Sequence, residues 1–418
     1  MRQTHESLCE TVEMRDLADG ARLCVTPRAG RRCHAVLSVD YGALHEAGTG
    51  RGEPPGIAHF LEHRLFEKPD GDISERFTDI GADVDAQTGF TATSYSVTSG
   101  AETFPAALEL LFELAGRTHF PEDSVARERS IVGHEIQLFE DNVEWMSFQT
   151  MLQALYPAQR IAVDIAGTPE SLLGIDSQML TRCHQHRYHA SAVQVFACGP
   201  IAVAELVDTC NEALSLWPKG DSSPAAIHLP VANPGVLHVP MAVPRVRRML
   251  AFPDEIRRQG IALMRHELAM EMTLDILFGP GSEFFSRHYE SGLLDGETFG
   301  GEVHMDESYG FCVLSGDADD PDALQSVILE ELAQARRSDW IETDFERARR
   351  RAYGDMVCQW EDVESTVGFL ENAGLRGCHP FSVAEIYAGE TAINTGDIRR
   401  CLEECLRPER VAVASVGE

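Results

Sequence analysis

Two stretches on either side of a proline-rich segment can be laid over each other, and no other feature of the sequence limits the fold as much. Phe112–Arg129, FELAGRTHFPEDSVARER, aligns with Leu329–Arg349, LEELAQARRSDWIETDFERAR, which is three residues longer. In each, a helix ending in Glu-Leu-Ala is followed by polar residues, an acidic helix start and an Arg-rich helix. Between them, residues 217–235 read WPKGDSSPAAIHLPVANPG and carry four Pro, the composition of a linker. A chain of 418 residues exceeds what one ordinary core holds. The expectation is an α+β protein of two tandem, related domains, 1–217 and 236–418, joined by residues 218–235.

The first half alternates short strand patterns with longer helical ones. Residues 22–26 and 33–42 read as strands, 56–66 as a helix, 73–80 as a short helix and 83–98 as a strand pair. Phe104, Leu108, Leu111 and Ala115 fall at i, i+4, i+7 and i+11, the spacing of one helix face. Pro121 opens a further helix, since proline suits a first turn, and this helix runs past Glu135.

The pentapeptide His59-Phe60-Leu61-Glu62-His63 lies inside the 56–66 helix. Residues at i and i+4 share a face about 6 Å apart, so two imidazoles can converge on one cation. Glu62 then stands beside the cation, where a carboxylate can take a proton from activated water and pass it to a leaving amine. A catalytic zinc needs a third protein ligand. Glu128 and Glu135 are seven residues apart on one face of the downstream helix. One can ligate while the other supports a ligand through a hydrogen bond.

HFLEH followed by Leu65-Phe66-Glu67 and a Gly-containing loop resembles the pitrilysin/insulinase family of inverted zincins. Within it, the chain looks most like the short bacterial two-domain branch related to mitochondrial processing peptidase. The likeness extends through Gly81–Val97, Tyr156-Pro157, Ile165–Thr168, His189–Pro200, Gly279–Phe299 and Ser308–Gly316. It implies two domains, each a mainly antiparallel sheet packed with helices, and one Zn2+ per chain held by His59, His63 and Glu135. Glu62 is then the base and Glu128 the supporting carboxylate. It also implies that Asp85, Ala86 and Thr88 pair with an extended peptide substrate, with Asp85 standing where the family usually has Asn. Arg287 falls at the position of a substrate-holding Arg in the second domain, while the family's Tyr seven residues further on is replaced near Leu294 or Asp295. The function so implied is a zinc endopeptidase for short or unfolded peptides, including leader-peptide or other maturation cleavages. It would act as a homodimer or with a related two-domain subunit. The alternative is a non-catalytic, peptide-binding scaffold subunit.

Composition narrows the partners. Lys and Arg number 35 against 67 Asp and Glu, a net charge of −32. Such a field repels a phosphate backbone or an anionic lipid surface, so neither nucleic acid nor membrane is expected. The N-terminal MRQTHESLCETVEMRD has no apolar run, and the 11 Cys lack paired spacings. Both features fit a cytoplasmic protein with free thiols. Cys401 and Cys405 could share a helix face, a spacing read as incidental. The run CHQHRYH, with His184, His186 and His189, reads as a solvated helix end. Arg347–Arg351 reads as a solvated helix face, and Gly279-Pro280-Gly281-Ser282 as a turn.

Overall fold

Five strands recur in the same order in the two halves of the chain. The computed structural model describes all residues except 7, 47–51, 221–226, 228, 230, 338–340 and 390–391. The first seven-stranded sheet is built from β1 (Arg2–His5), β2 (Glu10–Asp16), β3 (Arg22–Pro27), β4 (Arg32–Val39), β7 (Asp83–Thr88), β8 (Thr93–Gly100) and β9 (Val193–Gly199), in the order β1-β2-β3-β9-β4-β8-β7. A two-stranded ladder, β5 (Glu67–Lys68) with β6 (Gly71–Asp72), stands apart. The second sheet orders β10 (Val236–Val239), β11 (Val246–Pro253), β12 (Gly300–Met305), β13 (Gly310–Ala318) and β14 (Ala412–Val416) as β10-β14-β11-β13-β12. Among the described residues, only the β3/β9 and β10/β14 pairs are parallel. The second sheet therefore matches the β3-β9-β4-β8-β7 part of the first in both order and direction, as related tandem domains require.

The helices repeat too. In the first half come α1 (Ile57–Phe66), α2 (Ile73–Asp79), α3 (Phe104–Gly116), α4 (Glu122–Glu140) and α5 (Val143–Leu155). The helix pair behind the aligned sequences is α3 with α4 in one half, and Pro321–Ala335 with Ile341–Gln359 in the other. Both α4 and Ile341–Gln359 have 19 residues, and each is followed by a 13-residue helix, α5 or Val363–Leu375. These last two helices are exchanged. The compact units are Met1–Ile136 with Val163–Ile227 and Val357–Phe381, and Gln137–Ala162 with His228–Met356 and Ser382–Glu418. Helix Val363–Leu375 lies on β3, β4 and β9, and α5 lies on β10, β11 and β14. Glu371 fixes the former by accepting hydrogen bonds from Ser38 and Ser94 Oγ, both at 2.6 Å.

Burial follows the sequence pattern. Strand β4 is buried on both faces from Cys33 to Val39, the state of a strand covered by helices on both sides. In β8 the buried residues Thr93, Tyr95, Val97 and Ser99 alternate with half-buried ones, the period of a pleated strand. The face of α3 expected from its spacing, Phe104, Leu108, Leu111 and Ala115, is wholly buried.

One minor reading changes. CHQHRYH is not a solvated helix end: His184 and His189 are buried. The His184 ring bonds the Ala115 carbonyl at 2.8 Å and stacks on Tyr188, while His189 Nδ1 lies 3.0 Å from Ser191 Oγ. The Ala115 carbonyl lies 69 positions away, a contact that no local pattern reveals. The Arg347–Arg351 stretch does form a helix face laced with ion pairs, to Asp344, Glu346 and Asp275. Ser282, at the end of the Gly-Pro-Gly turn, caps the next helix by accepting from the Phe285 amide. Much of the proline-rich segment, 221–226 with 228 and 230, lies outside the described residues.

Candidate metal centre

Helix α1 is anchored at its start by a buried acid. The carboxylate of Glu46 accepts from the amides of Gly56 at 3.1 Å and Ala58 at 2.9 Å, satisfying donors that a helix start leaves free. Gly56 has φ +92°, and a Cβ there would lie 2.4 Å from the Ala166 carbonyl oxygen, so only glycine fits this junction. Ile57, Phe60, Leu61 and Leu65 enter the core. His59 and His63, one turn apart, remain partly exposed, and their ring centroids lie 4.5 Å apart.

Helix α4 brings Glu135 to these rings. Its Oε1 lies 3.8 Å from His59 Nε2 and its Oε2 3.6 Å from His63 Nε2. One donor atom from each of His59, His63 and Glu135 falls within 4.8 Å of the other two. Zinc bonds of about 2.0–2.2 Å in a tetrahedron separate N and O donors by about 3.4 Å, so this spacing suits a single ion. Glu135 Oε2 and His59 Nδ1 are buried without a hydrogen-bond partner. An orphaned buried carboxylate oxygen is costly, and a cation between Glu135 and the rings would satisfy it. The donor set of two imidazoles and one carboxylate matches a catalytic zinc site with one position open.

Glu128 stands two turns before Glu135 and does not join them. Its Oε1 lies 3.2 Å from His63 Nδ1, and its Oε2 accepts from Arg64 Nη1 at 2.8 Å. Arg64 also reaches Glu67 at 2.6 Å, and Ser124 donates to the same Glu67 oxygen. Glu62 is buried, and its Oε2 accepts from Thr88 Oγ1 at 2.8 Å. Thr88, placed by resemblance among substrate contacts, therefore spends its hydroxyl on Glu62.

The electrostatics divide these groups by role. Burial, with the neighbouring His63 second, depresses His59 to about 3, leaving the ring neutral, with one nitrogen lone pair free, at neutral pH. Burial raises Glu62 against the lowering Thr88 hydrogen bond, toward the range a general base uses. Burial also raises Glu135. For Glu128 burial acts upward, but the hydrogen bonds from His63 and Arg64 outweigh it and hold the carboxyl below its usual value.

The remaining sequence-selected residues are spread out. Asp85 and Ala86 lie on β7, the end strand of its sheet, which pairs with β8 alone. Arg287 belongs to the second unit, on helix Glu283–Glu290, where its exposed guanidinium is 3.9 Å from Glu283. Arg64, Glu46 and the Thr88–Glu62 bond were not found from sequence. Arg64 follows the pentapeptide directly, and its position next to His63 was the one local hint.

Comparison with known proteins places the chain in a family. The description Insulinase (Peptidase family M16) matches residues 24–169, and Peptidase M16 inactive domain matches residues 174–352. The chain is a two-domain member of peptidase family M16. Among M16 proteins, a Bacillus subtilis (strain 168) protein named Uncharacterized zinc protease YmfH is 29% identical across 99% of this chain and 98% of its own length. The human mitochondrial-processing peptidase subunit beta is 24% identical over 46% of this chain and 39% of its own. The crystal structure of an M16-like peptidase from Alicyclobacillus acidocaldarius superposes with a TM-score of 0.90 at 26% identity, covering 97% of this chain and 98% of that one. The M16 assignment agrees with the repeated sheet. It also fits the difference between the halves: the second has His266-Glu267 but Met270 where a second His would stand. No helix among the described residues is long and apolar enough to cross a membrane.

Proposed function

We propose that this M16 chain is a zinc metalloendopeptidase that hydrolyses short or unfolded peptides, in general peptide turnover or in maturation and leader-peptide cleavage. The observation that carries the reading is the convergence of His59, His63 and Glu135 around a point beside Glu62. When bound there, zinc lowers the pKa of water to about 7 and polarises a carbonyl. The side chains supply the rest. From one helix face His59 presents a neutral nitrogen. At His63 burial is outweighed by the Glu128 hydrogen bond and the nearby carboxylates, which raise the ring's pKa, so it gives up a proton to ligate. Glu135 adds the negative charge that makes the set hold a dication. Glu128 and Arg64 keep the His63 ring turned to its task. Glu62, held by Thr88, takes the proton from water and returns it to the departing amine.

The peptide is bound extended. The outer edge of β7, carrying Asp85 and Ala86, offers unpaired backbone groups to which a substrate adds as a strand. A cleft of about 700 Å³ beside His63, with Phe66, Glu67, His119 and Ile131 in its walls, has room for a side chain flanking the scissile bond. The enzyme works in the cytoplasm as a pair of two-domain subunits, identical or related, with Arg287 serving as a substrate contact. Neither nucleic acid nor a membrane takes part, in keeping with the net charge of −32.

The test is Glu62→Gln assayed on a mixed peptide library by mass spectrometry. Cleavage falls roughly 10²–10⁴-fold while zinc content and fold are kept. Undiminished cleavage by that variant refutes the assigned base.

A further inference from the structure

The second unit contains its own convergence of metal-binding side chains, far from the pentapeptide in sequence. Asp254 follows β11, His266 lies on helix Gly260–Phe278, and Cys405 ends helix Thr395–Glu404. All three are buried, with exposures of 4%, 7% and 1%. One donor atom from each lies within 4.8 Å of the other two. Cys405 Sγ is 3.6 Å from His266 Nε2, and Asp254 Oδ2 is 2.7 Å from the same nitrogen. A second thiol, Cys401 Sγ, is 3.9 Å from the other ring nitrogen, Nδ1. The fully buried Cys312 of β13 is near enough to Asp254, Cys401 and Cys405 to interact with them electrostatically.

We propose that Asp254, His266 and Cys405 form a buried second metal site in this chain, selective for zinc or a similarly borderline-soft divalent cation. The donor chemistry carries the argument. Thiolate, imidazole and carboxylate together select zinc over hard cations such as magnesium or calcium. Zinc–sulfur and zinc–nitrogen bonds of about 2.3 and 2.0–2.1 Å set tetrahedral S and N donors about 3.6 Å apart, the separation found between Cys405 and His266. The Asp254–His266 contact is a direct hydrogen bond, which opens by about 0.7 Å to admit the ion at ordinary bond lengths. Cys312 and Cys401 are the neighbouring thiols that could supply a fourth ligand.

Charge and protons balance. A dication with the Asp254 carboxylate and the Cys405 thiolate makes a neutral buried group, the cheapest way to bury charge. Asp254 is also bonded to Arg258, whose other nitrogen reaches Glu404 at 2.7 Å, so that ion pair cancels separately. Cys405 gives up its thiol proton on binding. In the empty site His266 Nε2 holds the hydrogen donated to Asp254. Binding uses that nitrogen's lone pair, so the hydrogen leaves Nε2 and the neutral ring carries its one proton at Nδ1 instead, facing Cys401 Sγ. Burial holds the Cys405 thiol protonated in the absence of metal, so binding releases its proton to solvent. The ion would tie the end of a central strand to the long helix and the C-terminal helix. These are ties of the kind structural zinc supplies, in contrast to the half-exposed His59–His63 site. Neither the peptidase reading nor its residues are needed for this inference.

The full-length chain with His59→Ala and His63→Ala isolates the second site. After expression in zinc-supplemented medium and dialysis against a chelator, one zinc per chain remains by elemental analysis. Adding Cys405→Ser to that background removes the ion, while Cys378→Ser, at a thiol outside the cluster, keeps it. Cobalt loading gives a spectroscopic readout independent of folding in the variants. Wild-type chain refolded with Co2+ shows a thiolate-to-cobalt charge-transfer band in the near ultraviolet, which ligation by His59, His63 and Glu135 cannot produce. A zinc-free double variant, or a cobalt-loaded wild type without that band, overturns the proposal.

Discussion

Glu128 Oε1 stands 3.2 Å from Nδ1 of His63, while the opposite nitrogen of the same ring faces Glu135 at 3.6 Å. One imidazole thus lies between two carboxylates seven residues apart on α4. The bond to Glu128 fixes the tautomer that turns a lone pair toward Glu135. A carboxylate behind a ligating histidine both orients the ring and strengthens it as a donor.

The two glutamates separate on mutation. Glu128→Gln weakens zinc binding about 10–100-fold, the usual cost of losing such a supporting partner, and the site still fills at micromolar metal. Glu135→Ala removes a ligand and its charge, and costs more. Competition with a chromophoric chelator measures both. The opposite ranking exchanges their roles.

Thr88 acts through Glu62. Thr88→Val keeps the shape of the buried side chain but removes the 2.8 Å hydrogen bond to the carboxylate. Peptide turnover falls about tenfold through kcat, since a positioned proton acceptor is worth about 10²–10⁴ and only its alignment is disturbed. Zinc content stays at the wild-type level. Steady-state kinetics beside metal analysis check this, and a loss confined to KM would instead make Thr88 a substrate contact.

The fold beneath the site has a pH-dependent clamp between α2 and α3. Both terminal nitrogens of Arg76 reach Glu113, each at 2.8 Å, and Arg117 adds a third bond at 2.9 Å. The Arg76 hydrogen bond is the largest influence on Glu113. Burial opposes it, and Arg117 reinforces it, leaving the carboxyl below its usual value. A depressed folded pKa stabilises the protein above the unfolded value of about 4.3, and this contribution is lost as pH falls through the folded value. The groups are part exposed, so the clamp contributes about 0.5–1 kcal/mol. Denaturant melts of Glu113→Gln show that deficit at pH 7, and the wild type converges on the variant well below pH 4.3. A constant gap across that range contradicts the clamp.

What the sequence revealed was local. His59 with His63, and Glu128 with Glu135, lie at i, i+4 and i, i+7 on single helices, so their shared faces could be read before any tertiary structure. The repeated Glu-Leu-Ala segment revealed the tandem domains, because two copies of one supersecondary unit keep the same punctuation. Contacts closed by the fold were out of reach. Arg64 meets Glu128 across 64 positions, and His266 meets Cys405 across 139. The spacing of Cys401 and Cys405, read as incidental, gains meaning only when His266 is brought between them. The exchange of α5 and Val363–Leu375 was equally hidden. An amphipathic helix has the same pattern whichever sheet it covers.

The central claim is that one cation is gripped by two imidazoles of α1 and a carboxylate of α4. Diffraction from zinc-loaded crystals at the zinc absorption edge tests it most directly. An anomalous peak is expected at bonding distance, about 2.0–2.2 Å, from His59, His63 and Glu135, with Glu62 adjacent and not bonded. Zinc-loaded crystals with no anomalous density among those three side chains contradict it.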